Sequence, residues 1–350
     1  MIKIRRLNNR DLKQVLRLLK QYTENESEYA VLKKMQRFFI PLHHISHSLP
    51  VQWQFLPAIF VASTQSQVLG LIWLVTDSKA HNRWRIEHLI LDPDNFSYDV
   101  GNQLVNYVIN RYGAEGVQTF LAYVNHRFEN ALSLLKSCGF RQCSRINFYY
   151  HSNVQELTVQ HLENNTKNYF ETNCQDSKLI AELYNTTLPV EARNAMKRDR
   201  TDFNLSLRRL IGHRVKGYFY KRWVKKDIAR GSMITAIVIT SQNYRDFYAE
   251  FYINPGWPEA FQEAMAFTRQ QILNITTQAT LSIQVPTADK SATEVLKTLD
   301  FHHHATVEVL VKDYWIPIKK PEQALQSPIL LFNDGIPNPA ANCGYFLKKT

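Results

Sequence analysis

The amino-acid sequence predicts an α/β fold with a mixed sheet, and the pattern that predicts it occurs twice along the 350-residue chain. Three observations support this prediction: short apolar runs that stop at an Asp-Pro or Asn-Pro pair, apolar stripes at helical spacing after them, and nearly equal intervals in the two copies. The first run stops at Pro93 and the second at Pro255. Two copies are too few for a solenoid, so a duplicated globular domain is the simplest interpretation.

The intervals between four landmark residues are almost the same in both copies. A valine follows the proline after 31 residues in the first copy and after 30 in the second. An alanine follows the valine after 7 residues, and a phenylalanine follows the alanine after 9 residues, in both copies. The landmarks are Pro93, Val124, Ala131 and Phe140 in the first copy, and Pro255, Val285, Ala292 and Phe301 in the second.

Each copy is predicted to run strand, loop, helix, strand, helix, strand. The opening apolar run is too short for a helix and ends at a turn signal, which is typical of a buried strand. The first helix is predicted from the stripes Leu104, Val105, Val108, Ile109, Tyr112 and Ala260, Phe261, Ala264, Met265, Thr268. The next strand is predicted at residues 119–124 and 280–285. This alternation favours parallel neighbouring strands.

The last helix of each copy shows apolar residues at i, i+3, i+4 and i+7, which form one helix face. They are Ala131, Leu134, Leu135 and Cys138 in the first copy, and Ala292, Val295, Leu296 and Leu299 in the second. Gly139 follows directly and suits the left-handed residue that ends a helix. Asp300 is a less favourable residue at the same place in the second copy.

The composition is that of a folded chain with room for two domains. Apolar residues make up 45% of the chain and aromatic residues 12%, which excludes a disordered protein, and 350 residues suit two domains. We predict a first domain at residues 1–152, a polar, asparagine-rich linker at 153–176, and a second domain at 177–316. Repeated prolines after residue 316 exclude a single helix there, so residues 317–350 are expected to form an extended tail.

The sequence shows no targeting or metal-binding pattern. The start of the chain lacks the apolar core of a signal peptide. The longest apolar stretch, residues 68–75, is far shorter than the ~20 residues that a membrane span needs. The four cysteines have no metal-ligand spacing and are typical of the reducing cytosol. We therefore expect a cytoplasmic protein with no membrane span and no bound metal.

The first copy resembles the GNAT superfamily of acetyl-CoA-dependent N-acetyltransferases. Residues 2–19 are similar to the first strand and helix of that family, and residues 58–75 (AIFVASTQSQVLGLIWLV) to its central hairpin. Residues 86–109 resemble its acetyl-CoA motif, and residues 130–150 its closing helix and strands. The resemblance is weaker over residues 165–316. It implies two GNAT-like acyl-CoA N-acyltransferase domains in tandem, of which the second is degenerate.

The resemblance implies that acetyl-CoA binds to the first copy as the acyl donor. In the family, backbone groups of one strand bind the pantetheine arm, which here implicates Leu89 and Leu91. Backbone amides of the next loop and helix N-terminus hold the diphosphate, because orphan amides and the helix dipole attract anions. The corresponding residues are Val100, Gly101 and Asn102.

The chain departs from the family's diphosphate loop. The positions that carry Arg or Gln, Gly, and Gly or Ala in the family hold Phe96, Asp99 and Gly101 here, so only the last matches. Asp99 either places a carboxylate beside the diphosphate or points outward as a helix N-cap, a role that Asp favours. The second copy departs further, because its loop at residues 256–259 is shorter and lacks the glycine pair.

Catalytic residues are only partly recognisable. The family's usual general acid is a tyrosine at the position of Leu135 in the first copy and of Leu296 in the second. A general base must reach the amine directly or through one water, and Glu87 and His88 lie on the strand that leads to the loop. Glu250 occupies the place of His88 in the second copy. The alternative is that these residues only pair or cap within the sheet.

Further polar residues predict an acceptor pocket and a cationic surface. Tyr123 and Asn125 end the second strand of the first copy, where they would line an acceptor pocket. Residues 193–226 hold twelve Arg and Lys against two Asp, and so most of the net charge of +11. Aromatic residues are interleaved with them, which suits an anionic partner. That surface would include Arg193, Arg208, Arg209, Lys225 and Lys226, and a solvated helix face is the other explanation.

We therefore expect a cytosolic tandem N-acetyltransferase that moves an acetyl group from acetyl-CoA to an amine by direct attack. The acceptor amine is not specified by the sequence, although the basic charge slightly favours acidic or phosphorylated acceptors. The alternative is a non-catalytic protein of the same fold that docks an acidic protein or a nucleic acid through residues 193–226. The missing tyrosine and the acidic loop favour this alternative.

Overall fold

The computed structural model describes residues 2–22, 58–65, 67–77, 82–92, 98–157, 168–204, 217–227 and 229–314. These residues all belong to one compact unit, Met1–Trp315. They form a single mixed sheet of twelve strands with eight α-helices, which confirms the predicted fold class. The predicted tail at 317–350 lies outside the described residues.

The first half of the molecule contains strands β1 to β6 and helices α1 to α3. Its elements are β1 Lys3–Arg6, α1 Leu12–Tyr22, β2 Ala58–Ser63, β3 Val68–Thr76, β4 Arg83–Leu91, α2 Tyr98–Ala114, β5 Thr119–Asn125, α3 Glu129–Ser137 and β6 Arg141–His151. The predicted hairpin, the predicted strand at 119–124 and both apolar helical stripes lie in the corresponding elements.

The second half contains strands β7 to β12 and helices α4 to α8. Its elements are β7 Phe170–Glu171, α4 Ser177–Thr187, α5 Val190–Met196, α6 Arg200–Phe203, β8 Phe219–Asp227, β9 Ser232–Ser241, β10 Asp246–Ile253, α7 Ala260–Leu273, β11 Thr280–Pro286, α8 Lys290–Thr298 and β12 His302–Asp313. From β8 onward the order of strands and helices repeats that of β2 to β6.

The two halves exchange their last strands. The strand order is β1-β2-β3-β4-β5-β12-β6-β11-β10-β9-β8-β7, so β12 lies beside β5 of the first half and β6 lies beside β11 of the second. The pairs β4–β5 and β10–β11 are parallel, and their neighbours in the sheet are antiparallel. Each half therefore completes the sheet of the other, and both depend on the central β12–β6 pair.

The landmark phenylalanines occupy matching places in the two cores. Phe140 follows α3 and packs in the core of the first half, while Phe301 follows α8 and packs in the core of the second. Their backbone N–H groups donate to the carbonyls of Leu135 and Leu296 at 3.1 and 3.0 Å. This equivalence confirms the predicted duplication.

The residue before each landmark phenylalanine ends its helix in a left-handed conformation. Gly139 has φ +85° and Asp300 has φ +56°. A left-handed conformation costs a residue with a side chain more than it costs glycine, and Asp is among the residues that tolerate it. The two helix ends therefore have the same geometry with different residues.

Part of the segment predicted as a linker packs against the second half. Val154 and Leu157 are buried in the core of that half, and Phe170–Glu171 pairs with β8 as the edge strand. Asn173 begins a capping box with Asp176, which leads into α4. The domain limits at 152 and 177 remain predictions.

Candidate active site

The strands β10 and β11 separate at the centre of the second half. Their parallel pairing runs from Asp246 with Thr280 to Ala249 with Ile283 and then stops. Both strands continue, β10 to Ile253 along β9 and β11 to Pro286 along β6. Beyond the last pair, the backbone edges that face each other are no longer bonded to each other, and a cleft opens between them.

A cavity of about 410 Å³ occupies this cleft and reaches both faces of the sheet. On one face it is lined by the beginnings of α7 and α8, including Phe261 and Ala292. On the other face it is lined by α4 and α5 and the turn between them, including Tyr184 and Met196. Glu250 and Tyr252, which follow the last paired residue of β10, also line it. Most of the lining is apolar.

Strand alternation sorts the residues of β10 between the two faces of the sheet. Ala249 and Phe251 face α7, where the ring of Phe251 meets that of Phe261 edge-on at 5.3 Å. Glu250 and Tyr252 face the opposite side, where Tyr252 packs with α4 and α5. The sequence pattern Tyr-Ala-Glu-Phe-Tyr at 248–252 therefore places its polar side chains together on the α4 face.

Glu250 and Tyr252 form a hydrogen-bonded pair in the wall of the cavity. The hydroxyl of Tyr252 donates to Oε2 of Glu250 at 2.6 Å. Burial raises the pKa of Tyr252 well above its ordinary value, and the nearby charge of Glu250 raises it further. The ring of Tyr184 meets that of Tyr252 edge-on at 5.3 Å. Tyr252 is consequently a fixed, protonated hydrogen-bond donor to the carboxylate.

Arg198 adds a half-buried cation to this cluster. Its guanidinium lies over the ring of Tyr184, 5.1 Å from the centroid. The side chain of Asn185 holds the backbone of Arg198 through two hydrogen bonds. The N–H of Arg198 donates to Oδ1 of Asn185 at 3.0 Å, and Nδ2 of Asn185 donates to the carbonyl of Arg198 at 2.9 Å. Burial lowers the pKa of Arg198, but Tyr184, Tyr252, Asp77 and Glu250 raise it, and the net direction is upward. The guanidinium therefore stays charged where it lies over the ring of Tyr184.

The same buried cluster extends into the first half. Arg83 on β4 pairs with Asp77 at 2.8 Å and donates to the carbonyl of Lys197 at 2.7 Å, which ties β4 to the end of α5. The guanidinium of Arg85 lies over the ring of Tyr123 on β5 at 5.7 Å. Burial, followed by the charge of Asp77, raises the pKa of Tyr123. The predicted acceptor residue Tyr123 thus lies at the junction of the two halves.

The other predicted acceptor residue has a local role. Asn125 accepts from the backbone N–H of Arg127 at 3.1 Å through its side chain. Its own carbonyl accepts from the N–H of Phe128 at 2.9 Å. These bonds shape the turn between β5 and α3. The contact of Asn125 with an acceptor remains a prediction.

Strand β4 contains one residue more than β10 where the cleft begins. Its ladder with β3 pairs Ile86 with Leu74 and then His88 with Trp73, so Glu87 is the additional residue of a bulge. The ladder of β10 with β9 runs without such a shift, and Glu250 pairs with Val238. The repeat therefore matches His88 with Glu250, as the sequence indicates, and Glu87 has no counterpart.

The two predicted bases of the first half have partners within the fold. Glu87 is exposed, and its carboxylate accepts from Nε of Arg85 at 2.8 Å. The ring of His88 packs against that of Trp73 with the centroids 5.2 Å apart. The parallel pairing of β4 with β5 ends at Ile86, so both residues follow the point where these strands separate. Their catalytic role remains a prediction.

The predicted cofactor residues take part in the packing of the first core. Leu91 and Val100 are buried, and Leu89 packs against the same cluster. A Cβ on Gly101 would lie 2.3 Å from Cδ1 of Leu134 and 3.0 Å from Cδ1 of Leu91, so the missing side chain allows α2 to approach its neighbours. The side chain of Asn102 accepts from Oγ of Ser137 at 2.9 Å. Cofactor binding at these residues remains a prediction.

The structure also locates one residue of the departing loop. Asp99 lies in the first turn of α2, one residue after the helix begins at Tyr98, and is exposed. Its carboxylate therefore sits at the positive end of the helix dipole. Phe96 and Pro93 lie outside the described residues.

Docking of an anionic partner through residues 193–226 is not supported. Lys225 pairs with Glu263 and Lys226 with Asp176, and the second of these carboxylates is buried. Arg222, which the charge count includes, is buried and donates to the carbonyl of Phe203 at 2.9 Å. Arg193 is exposed, while Arg208 and Arg209 lie outside the described residues. The charge run is thus partly structural, because several of its cations balance carboxylates of the same half.

Neither a protein-family model nor a curated protein matches the chain. Solved structures match its fold. A tandem GNAT protein from the clavulanic acid biosynthesis pathway aligns over 90% of this chain and 99% of its own, with a TM-score of 0.55 and 11% identity. A GCN5-related N-acetyltransferase from Sphaerobacter thermophilus aligns over 89% and 96%, with a TM-score of 0.56 and 11% identity.

A third structure extends this similarity. A putative acetyltransferase from Pyrococcus horikoshii aligns over 89% of this chain and of its own, with a TM-score of 0.50 and 12% identity. At these identities the likeness concerns the fold, and this fold is the tandem GNAT fold. Among the described residues, no helix is long and apolar enough to cross a membrane.

Proposed function

We propose that the chain is an acyl-CoA-dependent N-acyltransferase and that the cleft of the second half is its reaction centre. The observation that supports this most is the cavity of about 410 Å³ between the separated ends of β10 and β11, with the Glu250–Tyr252 pair in its wall. It combines an open strand edge, an apolar channel and an acid–base group in one place. Acetyl-CoA is the expected donor and an amine the expected acceptor.

The cleft suits the pantetheine arm of an acyl-CoA. Beyond Ala249 and Ile283, the separated backbone edges offer N–H and C=O groups to an extended amide-containing chain. Ile253, Phe261 and Val285 provide apolar walls for such an arm. When bound there, acyl-CoA supplies a thioester carbonyl. Amides at the strand edge are suited to stabilise negative charge that develops on its oxygen.

The loop before α7 is less suited to bind the diphosphate of the donor. The side chain of Asn254 accepts from the N–H of Gly256 at 3.0 Å, and its carbonyl accepts from the N–H of Trp257 at 2.8 Å. These amides precede α7, where the family's loop would face the diphosphate, and they already have partners. We therefore expect most of the affinity for the donor to come from the pantetheine arm.

Glu250 is the proposed general base. Its carboxylate lies in the cavity wall just beyond the last β10–β11 pair, where it can accept a proton from the amine directly or through one water. Tyr252 holds this carboxylate in place through its short hydrogen bond. The neutral amine then attacks the thioester carbonyl, and the carbon–sulfur bond breaks. Glu250 returns its proton to the departing thiolate, directly or through the hydroxyl of Tyr252. The regenerated carboxylate then accepts the second proton, which the nitrogen loses as it becomes an amide, and passes it to water.

A donor site in the first half is the second candidate. The bulge at Glu87 and the end of β4–β5 pairing at Ile86 favour it, because together they free the edge of β4 ahead of α2. In this arrangement Glu87 or His88 is the base, Leu89 and Leu91 hold the arm, and the second half shapes the acceptor site.

Variants of the two halves separate these candidates. We expect Glu250→Gln to lower kcat for acetyl transfer by roughly 100-fold or more, as removal of a general base does, while acetyl-CoA still binds by calorimetry. Glu87→Gln and His88→Gln are the matched controls and should retain activity. Loss of activity in either control with an active Glu250→Gln variant would place the reaction in the first half. Absence of acetyl-CoA binding to the wild-type protein would overturn acyl transfer itself.

A further inference from the structure

The end of the cavity on the α4 and α5 face is mostly apolar and carries a single charged group, a carboxylate. Ile146, Leu188, Pro189 and Met196 form most of its wall there, and the ring of Tyr184 completes it. Ser144, Thr187 and the Glu250–Tyr252 pair are the polar groups on this side. Such a wall suits a ligand with a compact apolar body and a single polar head directed at Glu250.

The charges that line the cavity are all acidic. Glu250 and Asp289 are its ionisable carboxylates, and no Lys, Arg or His is among the described residues that line it. Asp289 caps α8 by accepting from the N–H of Ala292 at 3.0 Å, which leaves Glu250 as the charge at the acceptor end. Arg198 stacks on Tyr184 but does not line the cavity. The net charge of +11 therefore does not describe this site.

We infer that the acceptor is a primary amine on an apolar body, with no anionic group beside the amine. This inference rests on the proposed function for the direction of transfer. An ammonium group is attracted to Glu250 before it loses its proton, whereas a carboxylate next to the amine would meet Glu250 with like charge and no cation in the wall. The acidic or phosphorylated acceptors favoured by overall charge are therefore disfavoured by the cavity itself.

Two amines that differ by one carboxylate test this inference on the full chain. 2-Phenylethylamine and L-phenylalanine have the same aromatic body, and only the second has an anionic group beside the amine. We expect 2-phenylethylamine to bind the protein in the absence of acetyl-CoA at least about tenfold more tightly than L-phenylalanine does, as measured by calorimetry, because like-charge contacts suppress the wrong partner. Release of the CoA thiol with each amine should show the same order in kcat/KM.

A charge placed in the wall should reverse this preference. Thr187 lines the cavity at the end of α4, where a lysine also suits the helix dipole. Thr187→Lys is expected to weaken binding of 2-phenylethylamine and to strengthen that of L-phenylalanine. Thr187→Met, which adds length without charge, is the matched control and should retain the wild-type order.

The outcomes separate the inference from the function on which it rests. Equal or tighter binding of L-phenylalanine to the wild-type protein would overturn the acceptor class, and so would a failure of 2-phenylethylamine to bind at all. If 2-phenylethylamine binds with the expected preference but acetyl-CoA does not bind, the amine site stands and acyl transfer fails. If acetyl-CoA binds and only L-phenylalanine is acetylated, acyl transfer stands and the inference fails.

Discussion

The two halves of this protein share their order of elements and differ at the place where two parallel strands separate. In the second half, β10 and β11 part without a bulge and leave a cavity that contains Glu250. In the first half, β4 carries the additional residue Glu87, and Leu91 and Leu134 pack against Gly101 at the start of α2. One additional residue in β4 and the leucines packed against Gly101 thus distinguish the place where the strands separate in the first half from the open cavity of the second.

The halves also differ in the side chain that the exchanged strand of the other half contributes at one equivalent position. Against β5, the exchanged strand β12 places Glu308 opposite Val124. Against β11, the exchanged strand β6 places Asn147 opposite Val285. The same position of the repeat therefore holds a buried carboxylate in one half and an amide in the other. Duplication preserved the backbone pairing, while the side chains at equivalent positions diverged.

The largest effect is expected from separating the halves. Residues 1–152 expressed alone should fail to fold, because β5 then lacks β12 and β6 lacks both of its partners in the sheet. Unpaired strand edges also favour aggregation. Circular dichroism and size-exclusion chromatography would show this, and co-expression with residues 153–350 should restore a soluble complex. A monomeric, cooperatively folded fragment would contradict the dependence of one half on the other.

Truncation of the two landmark phenylalanines should cost similar free energy. Phe140→Ala and Phe301→Ala each remove a ring that is at least 95% buried, so the free energy of unfolding should fall by about 3–5 kcal/mol in each case. Urea titrations followed by circular dichroism measure both values. If the two values differ by more than about 1 kcal/mol, which is half the width of this range, the two cores are not equivalent in packing.

A pH effect is expected at the position where the exchanged strands differ. Glu308 is 2% exposed and accepts hydrogen bonds from Nδ1 of His126 at 2.9 Å and from Arg145 at 3.0 Å. Burial raises its pKa, but His126 and Arg145 lower it more, and the net direction is downward. A lowered folded-state pKa contributes stability above the ordinary pKa of a glutamate, and this stability is lost as the pH falls through the folded value.

Glu308→Gln should therefore remove part of the acid sensitivity of the protein. The melting temperature of the wild type should fall more steeply below the ordinary glutamate pKa than that of the variant. The counterpart Asn147→Asp places a carboxylate at the equivalent position of the other half, and it should add acid sensitivity only if cations are near. Identical pH profiles of wild type and Glu308→Gln would show that the ion pairs of Glu308 contribute nothing to folding.

The smallest effect is expected at the two left-handed helix ends. Asp300→Gly should stabilise the second half by up to about 1 kcal/mol, because glycine adopts a positive φ without the cost of a side chain. Gly139→Ala should destabilise the first half by about 1–2 kcal/mol for the same reason. Thermal unfolding measures both changes. Opposite signs would mean that side-chain contacts, rather than backbone conformation, decide the residue at these ends.

The sequence predicts the elements of each half well because their signals are local. The apolar stripes of α2 and α7 and the turn at Gly139 depend on residues within a few turns of one another, and the equal spacing of the landmarks shows that they are repeated. Glu250 could be matched with His88 by counting from the prolines. Its pairing with Tyr252 could also have been suspected, because Tyr248, Glu250 and Tyr252 alternate on one strand.

The rest was decided by contacts between residues that are far apart in the chain. Arg83 reaches the end of α5, more than a hundred residues away, and Arg198 reaches the ring of Tyr184 only after α4 and α5 fold against the sheet. The sequence predicts that Lys225 and Lys226 belong to a charged surface, yet in the structure they pair with Glu263 and Asp176. Periodicity and spacing carry no signal for such partners.

A duplicated α/β unit with matched helices, strands and helix ends could be predicted from the residue pattern alone. This was possible because burial of one face imposes a period on each element. Three features could be seen only in the folded protein: β6 and β12 exchange places, the cavity opens in the second half, and the charges in its wall are acidic although the chain is basic. These features depend on which distant side chains meet across the sheet, and that is set by packing rather than by any local pattern.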